Sequence, residues 1–262
     1  MKLSIVTINL NNADGLRKTI DSVCSQTWRD FEWIIIDGCS TDGSVSLIKE
    51  TANKPEANVS YYCSEPDLGI YYALNKGARL AKGEYISFLN AGDCYHTDQV
   101  LESVFGQGQK YDEDILYGNA EYHYLKETVQ RVYPTSVGLD FFLAGKNINH
   151  QTTFIRRSVQ MEFPYQEKMF RISGDYAFFM HCCFESKSFR HLNLTIADFD
   201  ATGISQNNPF IVWSENHTAR ELEVTARYLN PAAQEIYRTL MHRRFNKRIL
   251  LGVCHILNKL FR

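Results

Sequence analysis

Short apolar runs alternate with amphipathic stretches along the first hundred residues of the chain. The runs at 3–7, 31–36 and 85–89 are almost continuously apolar, which is typical of strands buried on both faces. Apolar positions at helical spacing follow each run, for example across 13–25 and 71–81. Repeated strand–helix units predict an α/β fold with a mostly parallel central sheet flanked by helices. A fourth strand is predicted at 59–63, with further helices from Asp42 and at 97–105, where Thr97 or Asp98 would cap the helix.

The pattern changes after residue 106. Residues 115–124 and 127–133 predict two paired strands, and 189–199 predict one or two more. Helices are predicted at 138–145 and 176–186. A long helical region opens at Pro209, breaks at Asn230-Pro231 and continues to the end as a C-terminal extension. We therefore divide the chain into 1–106, 107–205 and 206–262.

Composition narrows the class of protein. With 262 residues, 44% of them hydrophobic, the chain can fold as one α/β domain or two small ones. A net charge of −2 gives no overall attraction to nucleic acid. The odd number of cysteines, seven, and the lack of a Cys-x-x-Cys pair argue against a disulfide framework or structural zinc and favour a reducing compartment. Met1-Lys2 leads straight into a strand, so we expect no secretory signal and a cytoplasmic protein.

The C-terminal tail is basic, unlike the rest of the chain. Residues 238–262 hold seven Lys/Arg and no acid. One reading is a terminal helix that packs on the domain; the other, which we favour, is a helix lying on an anionic membrane surface. The apolar face would comprise Met241, Phe245, Ile249, Val253, Ile256 and Leu260, beside a basic stripe of Arg244, Arg248, His255, Lys259 and Arg262.

Acidic residues follow two of the predicted strands. In open α/β sheets, ligands bind past the carboxyl ends of the strands. The chain lacks the two common glycine-rich phosphate loops, so phosphate would be held by a metal or by side chains. Asp93 could hold a hard cation there, or it could simply start a helix. Asp37 could accept hydrogen bonds from a base or ribose, or cap the next helix.

Other polar residues stand out from their surroundings. Asp67 opens a tight turn, and Asn75-Lys76-Gly77 interrupt a helix at a cost in stability, which suggests a helix that faces a ligand. In the second half, Asp175 opens an aromatic-rich helix, either as a general base or only as the helix cap. His150 precedes an apolar run, and alone it could be a core or rim histidine.

Together these motifs resemble family 2 glycosyltransferases of the GT-A fold, a Rossmann-like fold of nucleotide-diphospho-sugar transferases. Among them, the chain looks like the bacterial enzymes that build O-antigen, capsule and exopolysaccharide repeat units. The resemblance spans about residues 1–205, and it implies a nucleotide-sugar half at 1–106 and an acceptor or catalytic half at 107–205. It is carried by residues 4–7, 33–43, 64–77, 89–93, 150–151 and 174–176.

The resemblance implies a role for each matching position. Thr7, Asp37 and Asp67 would contact the base and ribose, Asp93 would bind Mn²⁺ or Mg²⁺, and Asp175 would be the catalytic base. The other implied nucleotide-sugar residues are Asn9, Ser40, Asn75, Lys76, Asn90, Ala91 and Gly92, and the implied acceptor or rim residues are His150, Gln151 and Gly174. Asn90 departs from the family, where Asp is common, so one charge near the metal is missing.

The implied activity is inverting transfer of a sugar from a nucleotide-diphospho-sugar, most commonly a UDP-sugar in this family. The acceptor would be a hydroxyl of a lipid-linked or oligosaccharide substrate in bacterial surface polysaccharide synthesis. No Gln-x-x-Arg-Trp motif of processive synthases occurs, which favours a single addition. Alternatives are a nucleotide-sugar-binding protein without catalysis and, disfavoured by the missing glycine fingerprint, a nicotinamide-dependent oxidoreductase. The basic tail would place the protein on the inner face of the membrane, and its oligomeric state stays open.

Overall fold

The computed structural model of the protein describes residues 1–227 and 234–235, with the side chains of 225–227 left out. Within these residues one nine-stranded sheet runs through the molecule. Its strands are β1 (Leu3–Asn9), β2 (Phe31–Asp37), β3 (Val59–Ser64), β4 (Tyr85–Phe88), β5 (Cys94–Tyr95), β6 (Ile115–His123), β7 (Thr128–Arg131), β8 (Thr153–Arg156) and β9 (Phe189–Asp200).

Helices cover both faces of this sheet. They are α1 (Ala13–Cys24), α2 (Ser44–Ala52), α3 (Ile70–Leu80), α4 (Val100–Phe105), α5 (Leu139–Leu143), α6 (Arg157–Glu162), α7 (Gly174–Phe184), α8 (Ile204–Asn207) and α9 (Pro209–Arg227). Short 3₁₀ turns lie at Pro55–Ala57, Gly106–Gly108 and His150–Thr152.

The strand order is β3-β2-β1-β4-β8-β6-β9-β5, with β7 paired to β6. The first four strands are parallel, which confirms the prediction from the repeated strand–helix units. Beyond β4 the sheet is mixed: β8 is antiparallel to both of its neighbours, whereas β6 and β9 are parallel. As a result β1, β2, β4, β6 and β9 all end at the same edge, so the residues that follow them can meet.

The two faces of the sheet have separate apolar cores because side chains alternate along each strand. Leu3 and Ile5 of β1 face a core closed by α1. Val6 faces the other core, which α3 and α7 close. On that side Gly77 lets α3 approach β1 closely, since a Cβ at this position would lie 2.3 Å from Cγ1 of Val6.

One predicted helix begins later than expected. The capping prediction was wrong, because α4 begins at Val100 and neither Thr97 nor Asp98 caps it. The carbonyls of these two residues accept hydrogen bonds from Gln26 Nε2, at 2.7 Å, and from the Thr27 amide, at 2.9 Å. These bonds therefore hold the turn before α4 against the end of α1.

The C-terminal extension begins as helix, in α8 and α9. The predicted break at Asn230-Pro231 and the basic tail at 238–262 lie outside the described residues. Among the residues that are described, no helix has the length and apolar character needed to cross a bilayer.

Candidate active site

A cavity of about 1400 Å³ opens at the edge where the parallel strands end. Its lining comes from both halves of the chain and continues past residue 205 to Val212 and Asn216 of α9. Of the predicted site residues, those in the lining are Asn9, Asp67, Asn90, Ala91, Asp93, His150, Gln151 and Asp175. Those outside it are Thr7, Asp37, Ser40, Asn75, Lys76, Gly92 and Gly174.

Asp175 lies at the second position of α7, with 14% of its side chain exposed. Ser173 occupies the cap position, although Asp175 does accept a 2.8 Å bond from the Tyr176 amide. Its other neighbours are more distant: Tyr71 Oη lies 3.3 Å from Oδ1, and Asn147 Nδ2 lies 3.4 Å from Oδ2. Apart from the Tyr176 amide bond, the contacts of this carboxylate are therefore long.

The backbone before α7 is fixed by a residue far along the chain. Glu215 of α9 accepts hydrogen bonds from the amides of Arg171, Ile172 and Ser173, at 2.8, 2.9 and 2.8 Å. One carboxylate thus satisfies three consecutive N–H groups at the entry to the helix that carries Asp175. The orientation of Asp175 therefore depends on α9.

His150 lies between Asn90 and Asp175. Its Nε2 is 3.1 Å from Asn90 Nδ2, and its Nδ1 is 3.5 Å from Asp175 Oδ2. Only 7% of the side chain is exposed. With the amide donating to Nε2, a neutral ring carries its proton on Nδ1, which is buried and makes no hydrogen bond although Asp175 Oδ2 lies 3.5 Å away. The histidine therefore packs beside the candidate base without a hydrogen bond to it.

Asp93, another residue of the cavity lining, is buried. Its Oδ2 accepts a 2.9 Å bond from Gln151 Nε2, and its Oδ1 accepts a 3.0 Å bond from the Asp200 amide. Burial, with a smaller contribution from the charge of Asp200, raises the pKa of Asp93 from 3.8 to about 7. Those hydrogen bonds and the nearby His150 only partly oppose the rise.

Asp93 and Asp200 also form the part of the site that fits a divalent cation. At Gly92, whose φ of +108° favours glycine, a Cβ would lie 3.3 Å from Asp200 Oδ2, so the turn places the second carboxylate beside the first. Two carboxylates in repulsion, one buried and one half-buried, suit Mn²⁺ or Mg²⁺. These two residues would hold the ion.

Asp37 lies outside the cavity lining and has a full set of partners. Asn9 Nδ2 and Ser40 Oγ donate to its Oδ1, and the Ser40 amide and Ser64 Oγ donate to its Oδ2, all at 2.6–2.9 Å. Burial alone would raise the pKa of Asp37, but these hydrogen bonds hold it below its ordinary value. The carboxylate joins the ends of β1, β2 and β3, and its contact with ribose stays a prediction.

The other predicted nucleotide-sugar residues also have contacts within the protein. Thr7 is buried and accepts a 3.0 Å bond from Trp33 Nε1. Asn75 donates to the Tyr165 carbonyl at 2.8 Å, and Lys76 pairs with Glu65. Asp67, in the cavity lining, accepts a 2.9 Å bond from the Gly69 amide within its turn. These contacts give each residue a structural role, and their roles in binding stay predictions.

Sequence reasoning missed four residues that shape the site. Tyr71 belongs to a motif already noted, and Asp200 directly follows the strand predicted at 189–199, so both offered a signal. Asn147 and Glu215 offered none, because their contacts depend on how separate loops and helices fold together. Gly174 had been assigned to the site rim; it allows a close approach to Tyr71, whose Cε2 would lie 2.7 Å from a Cβ at that position.

Residues 4–190 match the glycosyl transferase family 2. An uncharacterized glycosyltransferase of Mycobacterium tuberculosis is 30% identical over 226 residues, which span 81% of this chain and 80% of the relative. A PGL/p-HBAD biosynthesis glycosyltransferase of Mycobacterium bovis is 29% identical over 204 residues, 76% of this chain and 77% of the relative.

Solved structures share the fold. Staphylococcus aureus TarS 1-349, crystallised with UDP-GlcNAc, superposes with a TM-score of 0.68 at 16% identity, over 95% of this chain and 74% of that one. The mannosyltransferase PcManGT of Pyrobaculum calidifontis, with GDP-Man and Mn²⁺, gives 0.65 at 12% identity, over 98% and 73%. The predicted GT-A fold is confirmed, and the chain belongs to glycosyl transferase family 2.

Proposed function

We propose that this glycosyltransferase moves one sugar from a nucleotide-diphospho-sugar to an acceptor hydroxyl, with inversion and with a divalent metal. The observation that carries the proposal is the cavity itself, whose lining holds a loosely held carboxylate, Asp175, together with a buried acid, Asp93, and a half-buried one, Asp200. The cavity thus offers a candidate proton acceptor and candidate ligands for a cation.

Asp175 acts as general base. It accepts the proton of the acceptor hydroxyl while that oxygen attacks the anomeric carbon from the face opposite the leaving group. Asn147 orients the carboxylate through its 3.4 Å contact to Oδ2, and Tyr71 limits its rotation through a 3.3 Å contact to Oδ1. His150 packs beside it, with Nδ1 3.5 Å from Oδ2. Burial and the charge of Asp175 raise the pKa of Tyr71, so its hydroxyl stays protonated.

Asp93 and Asp200 would hold the cation, which would offset the negative charge of the diphosphate. Gln151 orients Asp93 through its 2.9 Å bond. Asn9 and Asp67, which line the cavity near the ends of the parallel strands, would contact the base and ribose. Support for a UDP-sugar donor comes from TarS, a fold relative crystallised with UDP-GlcNAc.

We infer a lipid-linked or oligosaccharide acceptor in bacterial surface polysaccharide synthesis. Apolar side chains from Phe141, Ile204 and Val212 line the cavity, and Phe210 and Trp213 of α9 are exposed nearby. The enzyme would work in the cytoplasm at the inner face of the membrane, held there by residues 238–262. Removing these residues should abolish sedimentation with anionic liposomes; unchanged sedimentation would contradict the membrane role.

The decisive experiment compares Asp175→Asn with Asp140→Asn. Asp140 also occupies the second position of its helix, α5, but it is exposed and outside the cavity lining, so it is a matched control. With a donor identified by a product-mass screen, Asp175→Asn should lower kcat by about 10²- to 10⁴-fold and leave donor binding intact. Asp140→Asn should keep wild-type kcat.

Two results would contradict the proposal. If the kcat of Asp175→Asn stays within a few-fold of wild type, Asp175 is not the general base and contributes only to the start of α7. Donor binding by the wild type without transfer or hydrolysis would support the alternative of a nucleotide-sugar-binding protein that lacks catalysis.

A further inference from the structure

A second group of potential metal ligands lies outside the cavity lining. It consists of His96, Glu121, His123 and Asp198, which we call the β6–β9 cluster. Strand pairing brings these residues together. Glu121 and Asp198 are register partners in the parallel pair of β6 and β9, and His96 follows β5, whose Cys94 pairs with Asp198 from the other side.

The ligand atoms are already close to one another. His96 Nδ1 lies 2.7 Å from Asp198 Oδ1, and His123 Nε2 lies 3.3 Å from Glu121 Oε1 and 3.7 Å from Asp198 Oδ2. One ligand atom each from His96, Glu121 and Asp198 lie within 4.8 Å of one another. In a tetrahedral site with zinc bonds of about 2.0–2.2 Å, ligand atoms are roughly 3.3–3.6 Å apart. Small side-chain shifts would therefore complete the geometry.

His123 gives a second reason to expect a cation. Its Nε2 is buried and has no hydrogen-bond partner, although two carboxylates lie within 3.7 Å. The other ring nitrogen, Nδ1, is 3.4 Å from Thr128 Oγ1. In the tautomer whose Nδ1 proton is donated to Thr128, the lone pair of Nε2 lies beside two negative groups. A metal ion between them would remove that repulsion, and a hydrogen bond from the second ring nitrogen is the usual support of a metal-binding histidine.

We propose that the β6–β9 cluster binds one Zn²⁺ that braces β5, β6 and β9. Two imidazoles and two carboxylates are zinc ligands, whereas the all-oxygen pair of Asp93 and Asp200 suits Mn²⁺ or Mg²⁺. The four side chains are 28–44% exposed, so the ion can enter from solvent. The brace holds β9 two residues before Asp200, whose amide contacts Asp93.

The sequence argument against structural zinc rested on cysteine spacing alone. It did not address histidine and carboxylate ligands, which lie at 96, 121, 123 and 198 with no motif spacing. Only the pairing of β9 with both β5 and β6 brings them together.

The test measures Zn²⁺ binding by calorimetry and Zn²⁺-dependent melting. The parent protein carries Cys39→Ser and Asp93→Asn, which remove the exposed thiol and the cavity carboxylate as competing ligands. It should bind one Zn²⁺ per chain and melt at higher temperature as Zn²⁺ increases. Adding Glu121→Gln or His123→Ala should weaken binding at least tenfold and abolish the rise in Tm. Adding His217→Ala, at an exposed histidine outside the cluster, should change neither.

The variants must first show wild-type circular dichroism in chelator, and the conservative Glu121→Gln keeps the test valid should His123→Ala fail to fold. Saturable binding that is unchanged in Glu121→Gln would overturn the proposal, as would the lack of any saturable Zn²⁺ binding by the parent. A melting temperature that responds to pH but not to Zn²⁺ would mean that the cluster binds a proton only, which also refutes it.

Discussion

Two buried carboxylates on either side of β1 behave in opposite ways. Asp37 ends β2 and accepts four hydrogen bonds, at 2.6–2.9 Å, which hold its pKa below the ordinary value. Asp93 follows β4 and accepts two, at 2.9 and 3.0 Å, and burial raises its pKa to about 7. Both are acids at strand ends. The number of donors around each one decides whether it stabilises the fold or is left in need of a cation.

The largest expected effect is on the pH dependence of stability. The folded-state pKa of Asp93 is raised from 3.8 to about 7, so between these values the folded protein keeps a proton that the unfolded chain releases. The contribution of Asp93 is fully present below about pH 4 and is lost as pH rises through about 7. Relative to Asp93→Asn, the wild type should lose up to about 4 kcal/mol of unfolding free energy over this range, measured by denaturant melts in chelator.

The asparagine variant fits the site, because its amide can donate to Gln151 Oε1, a buried atom without a partner. Mn²⁺ at pH 8 should restore stability to the wild type and leave Asp93→Asn unchanged. If the unfolding free energies of the two proteins changed with pH in parallel, the donors around Asp93 would already compensate its burial.

The same substitution at Asp37 should have the opposite sign. Asp37→Asn removes a charge that four donors stabilise and places an amide N–H₂ against Asn9 Nδ2 or the Ser40 amide. We expect a loss of about 2–3 kcal/mol of unfolding free energy at pH 7. The folded pKa of Asp37 is lowered, so this loss should shrink as pH falls below 3.8. If Asp37→Asn left the unfolding free energy unchanged or raised it, the contrast between Asp37 and Asp93 would be wrong.

The smallest effect concerns the loose contacts of Asp175. Asn147→Ala removes a 3.4 Å contact to Oδ2, and a bond of this kind contributes about 0.5–1.5 kcal/mol. We expect kcat to fall roughly 2- to 10-fold while KM for the donor stays the same. A raised KM with unchanged kcat would instead place Asn147 in donor binding.

The parallel half of the sheet was predictable because each of its elements is encoded locally. The apolar runs that became β1, β2 and β4 are separated by amphipathic helices, and such units pack in only a few ways. Asp93 and Asp175 could be proposed for the same reason, since Asp93 lies in the short turn after a strand and Asp175 opens a helix. The family resemblance then suggested their roles.

The rest of the site depends on contacts between distant segments. Nothing in the residues around Asn147 or Glu215 indicates that their side chains reach Asp175 or the backbone before it. Asn75 shows the reverse problem. Its position in mid-helix suggested a ligand, yet its Nδ2 donates to the Tyr165 carbonyl and its Oδ1 accepts from the Tyr165 amide. A polar residue that disfavours a helix locally can be retained for a tertiary contact.

The contact made by Glu215 sets a limit on how such enzymes can be recombined. The family match ends at residue 190, but the loop that leads into Asp175 is held by a helix that begins at Pro209. His181 of α7 and Glu223 of α9 form a second link, at 2.9 Å. Exchanging the C-terminal segment between relatives would therefore also exchange the contacts that position the loop before Asp175. As the family diverges, a substitution in α9 would be tolerated only together with a matching substitution at the entry to α7.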